Sequence, residues 1–115
     1  MDNQTIEGIL AKLSSQEYCY LTTKGRVSGK PHRIEIWFGV EGGSIYLLSG
    51  GGNESDWVKN LKVDSAVNVR IGRQHFEGEA QIVVDAEADM TARQLLAAKY
   101  YGWREGKKLN DWAST

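Results

Sequence analysis

Five short runs between Tyr18 and Val84 carry the β-branched, aromatic or alternating pattern of strands, and glycine or charged turn residues separate them. A strand turns successive side chains to opposite faces, so a chain patterned this way builds sheet over an apolar layer. YCYLTT, from Tyr18 to the Lys24-Gly25 stop, is the first strand. Residues 31 to 40 read as the second, with Ile34, Ile36 and Phe38 on one face and Arg33, Glu35 and Trp37 on the other. Past the turn signal Glu41-Gly42-Gly43, residues 44 to 48 return as the third, which makes a meander. AVNVRIG from Ala66 and HFEGEAQIVV from His75 are the fourth and fifth, joined by Arg73-Gln74, with Gly78 as a bulge.

Three helices frame these strands. Ile6, Ile9, Leu10 and Leu13 paint one stripe across residues 4 to 13. Ser55 stands as an N-cap before Trp57, Val58 and Leu61 at helical spacing. Residues 87 to 101 carry Ala88, Ala92, Leu95, Leu96 and Tyr100 on one stripe, closed by Gly102. The order predicts an α+β fold, a small barrel of five to six mostly antiparallel strands with flanking helices. At 115 residues it is one domain. Chains of this size leave much surface open, so a cofactor or a homodimer contact would add stability.

Fourteen Lys and Arg against fifteen Asp and Glu give a net charge of −1, which excludes a globally basic nucleic-acid binder. Cys19 is the single cysteine and has no partner for an internal disulfide, and no four-ligand zinc set is present. The amino-terminal residues lack a basic stretch followed by an apolar core, and no run approaches 18 apolar residues. A cytoplasmic protein with no membrane span is expected.

The chemistry concentrates in two places. Lys24, Arg26, Lys30 and Arg33 put four cations into ten residues, with no acid between Glu17 and Glu35. Around a hairpin that also carries Thr22, Thr23, Ser28 and the amides of Gly25 and Gly29, they offer donors to phosphate or carboxylate oxygens. A solvated hairpin tip is the bland alternative. Ser49, Gly50, Gly51 and Gly52 precede the second helix but lack the Gly-Lys-Ser/Thr ending of a nucleotide phosphate loop, and Glu54 and Asp56 oppose an anion there. Close approach of a flat ring to the glycine backbone meets no such objection. Trp57 and Asn60, three apart, set an aromatic plate beside an amide, unless the tryptophan is core and the amide surface. His32 and His75 read as surface or satisfied histidines, and Cys19 as a small buried hydrophobe. Tyr100, Tyr101 and Trp103 form an aromatic cluster that either packs the core or lids a ring-shaped ligand. With no paired carboxylates, Ser/His/Asp set or metal cluster, enzymatic chemistry here would fall to a cofactor.

At these residues the run from Thr22 to Gly72 resembles the deazaflavin (coenzyme F420)-dependent nitroreductase family, a branch of the flavin-reductase-like split β-barrel proteins related to pyridoxamine phosphate oxidase. The markers are Gly25-Arg26-x-Ser28-Gly29-x-Pro31, the glycine turn 50 to 52, and Trp57-x-x-Asn60-Leu61 ahead of an alternating strand to Gly72. The resemblance implies a single split-barrel domain over residues 1 to 115, with deazaflavin, or alternatively FMN, in a groove. Its phosphate-bearing tail would lie on the basic hairpin and its ring beside the glycine turn. Arg26, Ser28, Lys30 and Pro31 carry over with the hairpin motif, and Ser49, Gly51, Trp57 and Asn60 with the second. His32 stands where the family often has arginine, with Arg33 beside it.

The expected function is hydride transfer from the reduced deazaflavin to a small planar acceptor, a quinone or nitroaromatic. Arg26, Lys30 and Arg33 would hold the tail, Gly50, Gly51, Gly52 and Trp57 would fix the ring, and Tyr100 or Tyr101 would close the pocket or donate a proton. Two rivals use the same residues: a non-catalytic binder of FMN, a tetrapyrrole or a lipid, and a nucleic-acid-binding barrel stacking bases on Tyr18, Tyr20 and Trp37.

Overall fold

The computed structural model describes residues 5–49, 55–102 and 104. Helix α1 (Ile6–Leu13) is capped by the Thr5 hydroxyl, which accepts from the Gly8 N–H. Strands β1 (Cys19–Lys24) and β2 (Pro31–Ile36) form a hairpin, and β3 (Phe38–Glu41) and β4 (Ser44–Leu47) form another. Helix α2 (Asp56–Val63) leads to β5 (Ala66–Ile71) and β6 (Gln74–Glu79), and α3 (Ala86–Tyr101) follows. Six antiparallel strands thus divide into a four-stranded sheet ordered β2-β1-β5-β6 and a two-stranded sheet β3-β4. The α+β reading holds, and Gly102 ends α3 in the left-handed conformation expected of a C′ glycine.

Strand parity builds the core. Cys19, Leu21 and Thr23 face inward on β1, and Leu21 pairs with Ile34 of β2 and Val69 of β5. Leu10, Phe38 and Ile71 join them in one buried cluster. Tyr20, Arg33 and Arg70 take the opposite face, where both guanidiniums lie over the Tyr20 ring at 4.8 and 5.6 Å. Burial pushes the Cys19 thiol up to about 11, which leaves it protonated and inert as expected.

Two strand boundaries differ from the sequence reading. The run 31 to 40 is not one strand: it breaks at Trp37, and Phe38 enters the second sheet opposite Leu47. Alternation continues through the break, so period alone does not reveal the change of partner. Likewise β6 stops at Glu79 instead of Val84, because β5 begins at its partner Ala66 and a single further backbone bond, Ala80 N–H to Ser65 C=O, ends the pairing. Ile82, Val83 and Val84 consequently lie exposed.

Candidate cofactor groove and its supports

A groove of about 560 Å³ opens where the two sheets part. Ile34 and Ile36 come from β2, Trp37 from the junction, Leu48 and Ser49 from the end of the β3–β4 hairpin, Trp57 from α2, and Tyr101 from α3. Glu35 of β2 lines it too, so three aromatic rings and three aliphatic side chains share the slot with a carboxylate and the Ser49 hydroxyl, flat walls with polar groups between them. Ser49 Oγ lies 2.6 Å from Ser55 Oγ, so the hydroxyl expected to cap α2 instead ties together the two flanks of the glycine turn. Gly50, Gly51 and Gly52 themselves lie outside the described residues, as does Trp103.

The basic hairpin sits at the other end of β2. A strand rises about 3.3 Å per residue, which puts Lys30 about 13 Å from Ile34. Its geometry revises part of the expected anion site. The Gly25 N–H donates to Lys30 C=O and the Gly29 N–H to Gly25 C=O, so both amides are spent on closing the turn rather than offered to a ligand. Ser28 Oγ accepts from the Lys30 N–H. A Cβ at Gly25 would come within 2.5 Å of His32 Nε2 and 2.9 Å of Ser28 Oγ, so a larger residue there would require these two exposed side chains to turn aside. His32, by strand parity, shares its face with Thr23 and Ile34, whereas Arg33 points across the sheet to Tyr20. The structure therefore does not bring Arg33 to Arg26, which is held against α2; next to His32 in sequence, it lies on the opposite face, which by register it shares with Lys24. Pro31 opens the edge strand β2, where its missing N–H costs no ladder bond.

Arg26 and Asn60 hold each other. The Arg26 N–H and one Nη donate to Asn60 Oδ1 at 3.2 and 2.8 Å, and the other Nη meets Asp56 Oδ1 at 3.2 Å. Asn60 Nδ2 donates to the buried Thr23 hydroxyl at 3.1 Å. The amide is 3% exposed and Trp57 half-buried, the reverse of a core tryptophan with a surface amide. The sequence reading takes Thr23 as a hairpin donor and Asp56 as opposing an anion at α2, and pairs neither with Asn60 or Arg26. Parity with Cys19 and Leu21 does place the Thr23 hydroxyl in the core, where it needs a partner.

Tyr100 and Tyr101 separate into two roles. Tyr101 lines the groove and meets Trp37 edge-on at 5.9 Å, while Tyr100 stacks flat on Trp37 at 4.3 Å with 6° between the planes. The Tyr100 hydroxyl accepts from the Phe38 N–H at 3.0 Å and donates to Glu17 C=O at 2.6 Å, with Phe38 C=O at 3.0 Å. Lys99 Nζ donates to that same Phe38 C=O at 3.0 Å and sits 3.6 Å from the Phe38 ring centroid. Burial lowers Lys99 to about 8 and raises the Tyr100 phenol above its ordinary value. Lys99 went unnoticed in the sequence, although it lies four residues after Leu95 and three after Leu96 on the buried stripe.

Tyr18 and Tyr20 pair with each other at 5.5 Å, away from the Trp37–Tyr100 stack, so these three aromatics do not form one base-stacking platform. A second groove of about 390 Å³ lies between the β3–β4 turn and the start of α3. Glu41, Asp85 and Glu87 line it, the wrong charge for a phosphate-bearing ligand. Among the described residues no helix is long and apolar enough to cross a membrane.

The F420H2-dependent quinone reductase family model matches residues 2–110. Comparison with curated proteins returned no match. Among solved structures, the conserved hypothetical protein Rv2991 from Mycobacterium tuberculosis is similar at a TM-score of 0.73 and 26% identity, covering 86% of this chain and 67% of that one. A candidate 5-nitroimidazole antibiotic resistance protein from Bacteroides thetaiotaomicron gives a TM-score of 0.69 at 20% identity, over 93% of this chain and 71% of that one. A candidate pyridoxamine 5′-phosphate oxidase from Listeria innocua gives 0.69 at 20% identity, over 91% and 85%. The latter two show the fold alone, an α+β split β-barrel. A deazaflavin has a flat ring, which the aromatic walls of the slot would suit, and an anionic tail, which Lys30 on the hairpin would suit. On the family match, the chain belongs to the F420H2-dependent quinone reductase family.

Proposed function

We propose that this chain passes a hydride from reduced coenzyme F420 to a small planar acceptor, a quinone or a nitroaromatic, with the cofactor ring beside Trp57 and the tail toward Lys30. The observation that carries this reading is an aromatic slot and a cationic hairpin set at opposite ends of one strand, β2. When bound, the deazaflavin supplies the two electrons and the hydrogen together, so the chain needs no nucleophile of its own. Its share is orientation. Trp37, Trp57 and Tyr101 give the flat walls, while Ile34, Ile36 and Leu48 keep water from the reacting carbon. Ser49, with Gly50, Gly51 and Gly52, belongs to the ring end by the family motif. Ser28 and Pro31 shape the hairpin, and the Arg26–Asn60 bracket keeps Lys30 and Trp57 at a fixed separation.

Lys30→Ala tests the tail placement. An ammonium bonding a phosphate oxygen contributes about 1–3 kcal/mol, so F420 binding weakens about tenfold or more at low salt and less at high salt, where screening acts over about 8 Å. Wild-type affinity at low salt in a folded Lys30→Ala variant would put the tail elsewhere. The same titration with FMN separates the two cofactors. Saturable oxidation of reduced F420 by a quinone, against binding without turnover, separates the enzyme from a carrier.

A further inference from the structure

We infer that Tyr100 is a positioning residue that fixes Trp37 as a wall of the groove by gripping the backbone of Phe38, an inference that rests on the cofactor groove described above. One residue, Trp37, joins β2 to β3, and the chain changes sheets there. The end of α3 supplies the restraint. Phe38 offers one N–H and one C=O on the side of β3 that faces α3, and the helix answers both, Tyr100 taking the N–H and Lys99 the C=O. The single Tyr100 hydrogen goes to the nearer acceptor, Glu17 C=O at 2.6 Å, so one hydroxyl ties together the approach to β1, the start of β3 and the end of α3. Its ring then lies parallel to Trp37 at 4.3 Å. With its hydroxyl committed to two backbone segments and its phenol raised by desolvation, Tyr100 is built to hold, and Tyr101 is the tyrosine that faces the groove.

A double-mutant cycle with Trp37→Phe tests the inference. Tyr100→Phe keeps a ring for stacking but removes the hydroxyl. It is expected to weaken F420 binding about five- to tenfold, to leave kcat at saturating cofactor within about twofold, and to shrink the near-ultraviolet circular dichroism of Trp37. In the Trp37→Phe background the same substitution should add less than about twofold, because there is no indole left to position. Lys99→Met, which frees the same Phe38 carbonyl, should act in the same direction and depend on Trp37 likewise; it carries the test should Tyr100→Phe not fold. Should Tyr100→Phe lower kcat at full cofactor occupancy equally in both backgrounds, Tyr100 is a proton donor and the inference is overturned. An equal loss of affinity in both backgrounds would overturn it too, since the effect would then be general to the fold. If Trp37→Phe alone binds F420 as wild type, the groove reading fails first.

Discussion

Asn60→Ala is expected to lower stability by about 2–4 kcal/mol, which combines a stranded buried hydroxyl at about 1–3 kcal/mol with the space left by the amide. For a domain of this size that is roughly a 10–15 °C fall in melting temperature. Asn60 Oδ1 accepts two bonds from Arg26, and its Nδ2 serves Thr23, itself only 2% exposed. Alanine leaves that hydroxyl without a partner and loosens the hairpin from α2. The Arg26–Asp56 pair that remains lies near the surface, with Asp56 86% exposed, and such pairs contribute little. Asn60→Asp separates the two losses: the introduced carboxylate still accepts from Arg26, and the Thr23 hydroxyl can turn to donate to it. Its penalty should be less than half that of alanine at pH 7 and should grow in acid, as the carboxylate is protonated and loses its attraction to the guanidinium. Thermal melts monitored by circular dichroism read both; a wild-type melting temperature for Asn60→Ala would remove the bracket from the account.

Gly39→Val should be as damaging, for a different reason. A Cβ at Gly39 would stand 2.8 Å from Leu95 Cδ2, 2.9 Å from Leu95 Cγ and 2.9 Å from Leu96 Cδ1. Leu96 is 1% exposed and has no room to swing aside. The helix must therefore back away from β3, and overpacking of this kind costs about 1–3 kcal/mol, at the upper end or beyond for a branched side chain. Backing away also draws Tyr100 off Phe38, so the Trp37 dichroism should fall together with the melting temperature. Gly39→Ala should show the same two losses at smaller size, and a Gly39→Val protein that melts as wild type would mean that α3 does not press on β3.

What the sequence made legible follows from the range of each interaction. Helical stripes and caps are local, so α1, α2 and α3 were readable from Leu10, Ser55 and Gly102. Strand parity is local as well, and it correctly divides Cys19 and Leu21 from Tyr20. It also divides Arg33 from Ile34, a division that the count of cations in the hairpin overrode. The rest depends on partners distant in the chain. Arg26 is neutralised by Asp56, thirty residues away, so a charge tally of sequence neighbours overstated the free cation at the hairpin. The break at Trp37 and the early end of β6 are set by where Leu47 and Ala66 lie, which no alternation within residues 31 to 40 or 75 to 84 encodes. The family motif pointed to the hairpin and the glycine turn, and the structure shows what braces the hairpin against α2.

The most direct measurement is a titration of coenzyme F420 into the wild type and Trp57→Leu, followed by quenching of tryptophan fluorescence at a temperature where both are folded. Leucine keeps an apolar side chain against the core and removes the aromatic plate. An aromatic stack contributes about 0.5–1.5 kcal/mol beyond its buried area, so the account predicts saturable quenching in the wild type and an affinity lower by about two- to tenfold in Trp57→Leu. Equal affinity in the two folded proteins would contradict a cofactor ring seated between α2 and the β2–β3 junction.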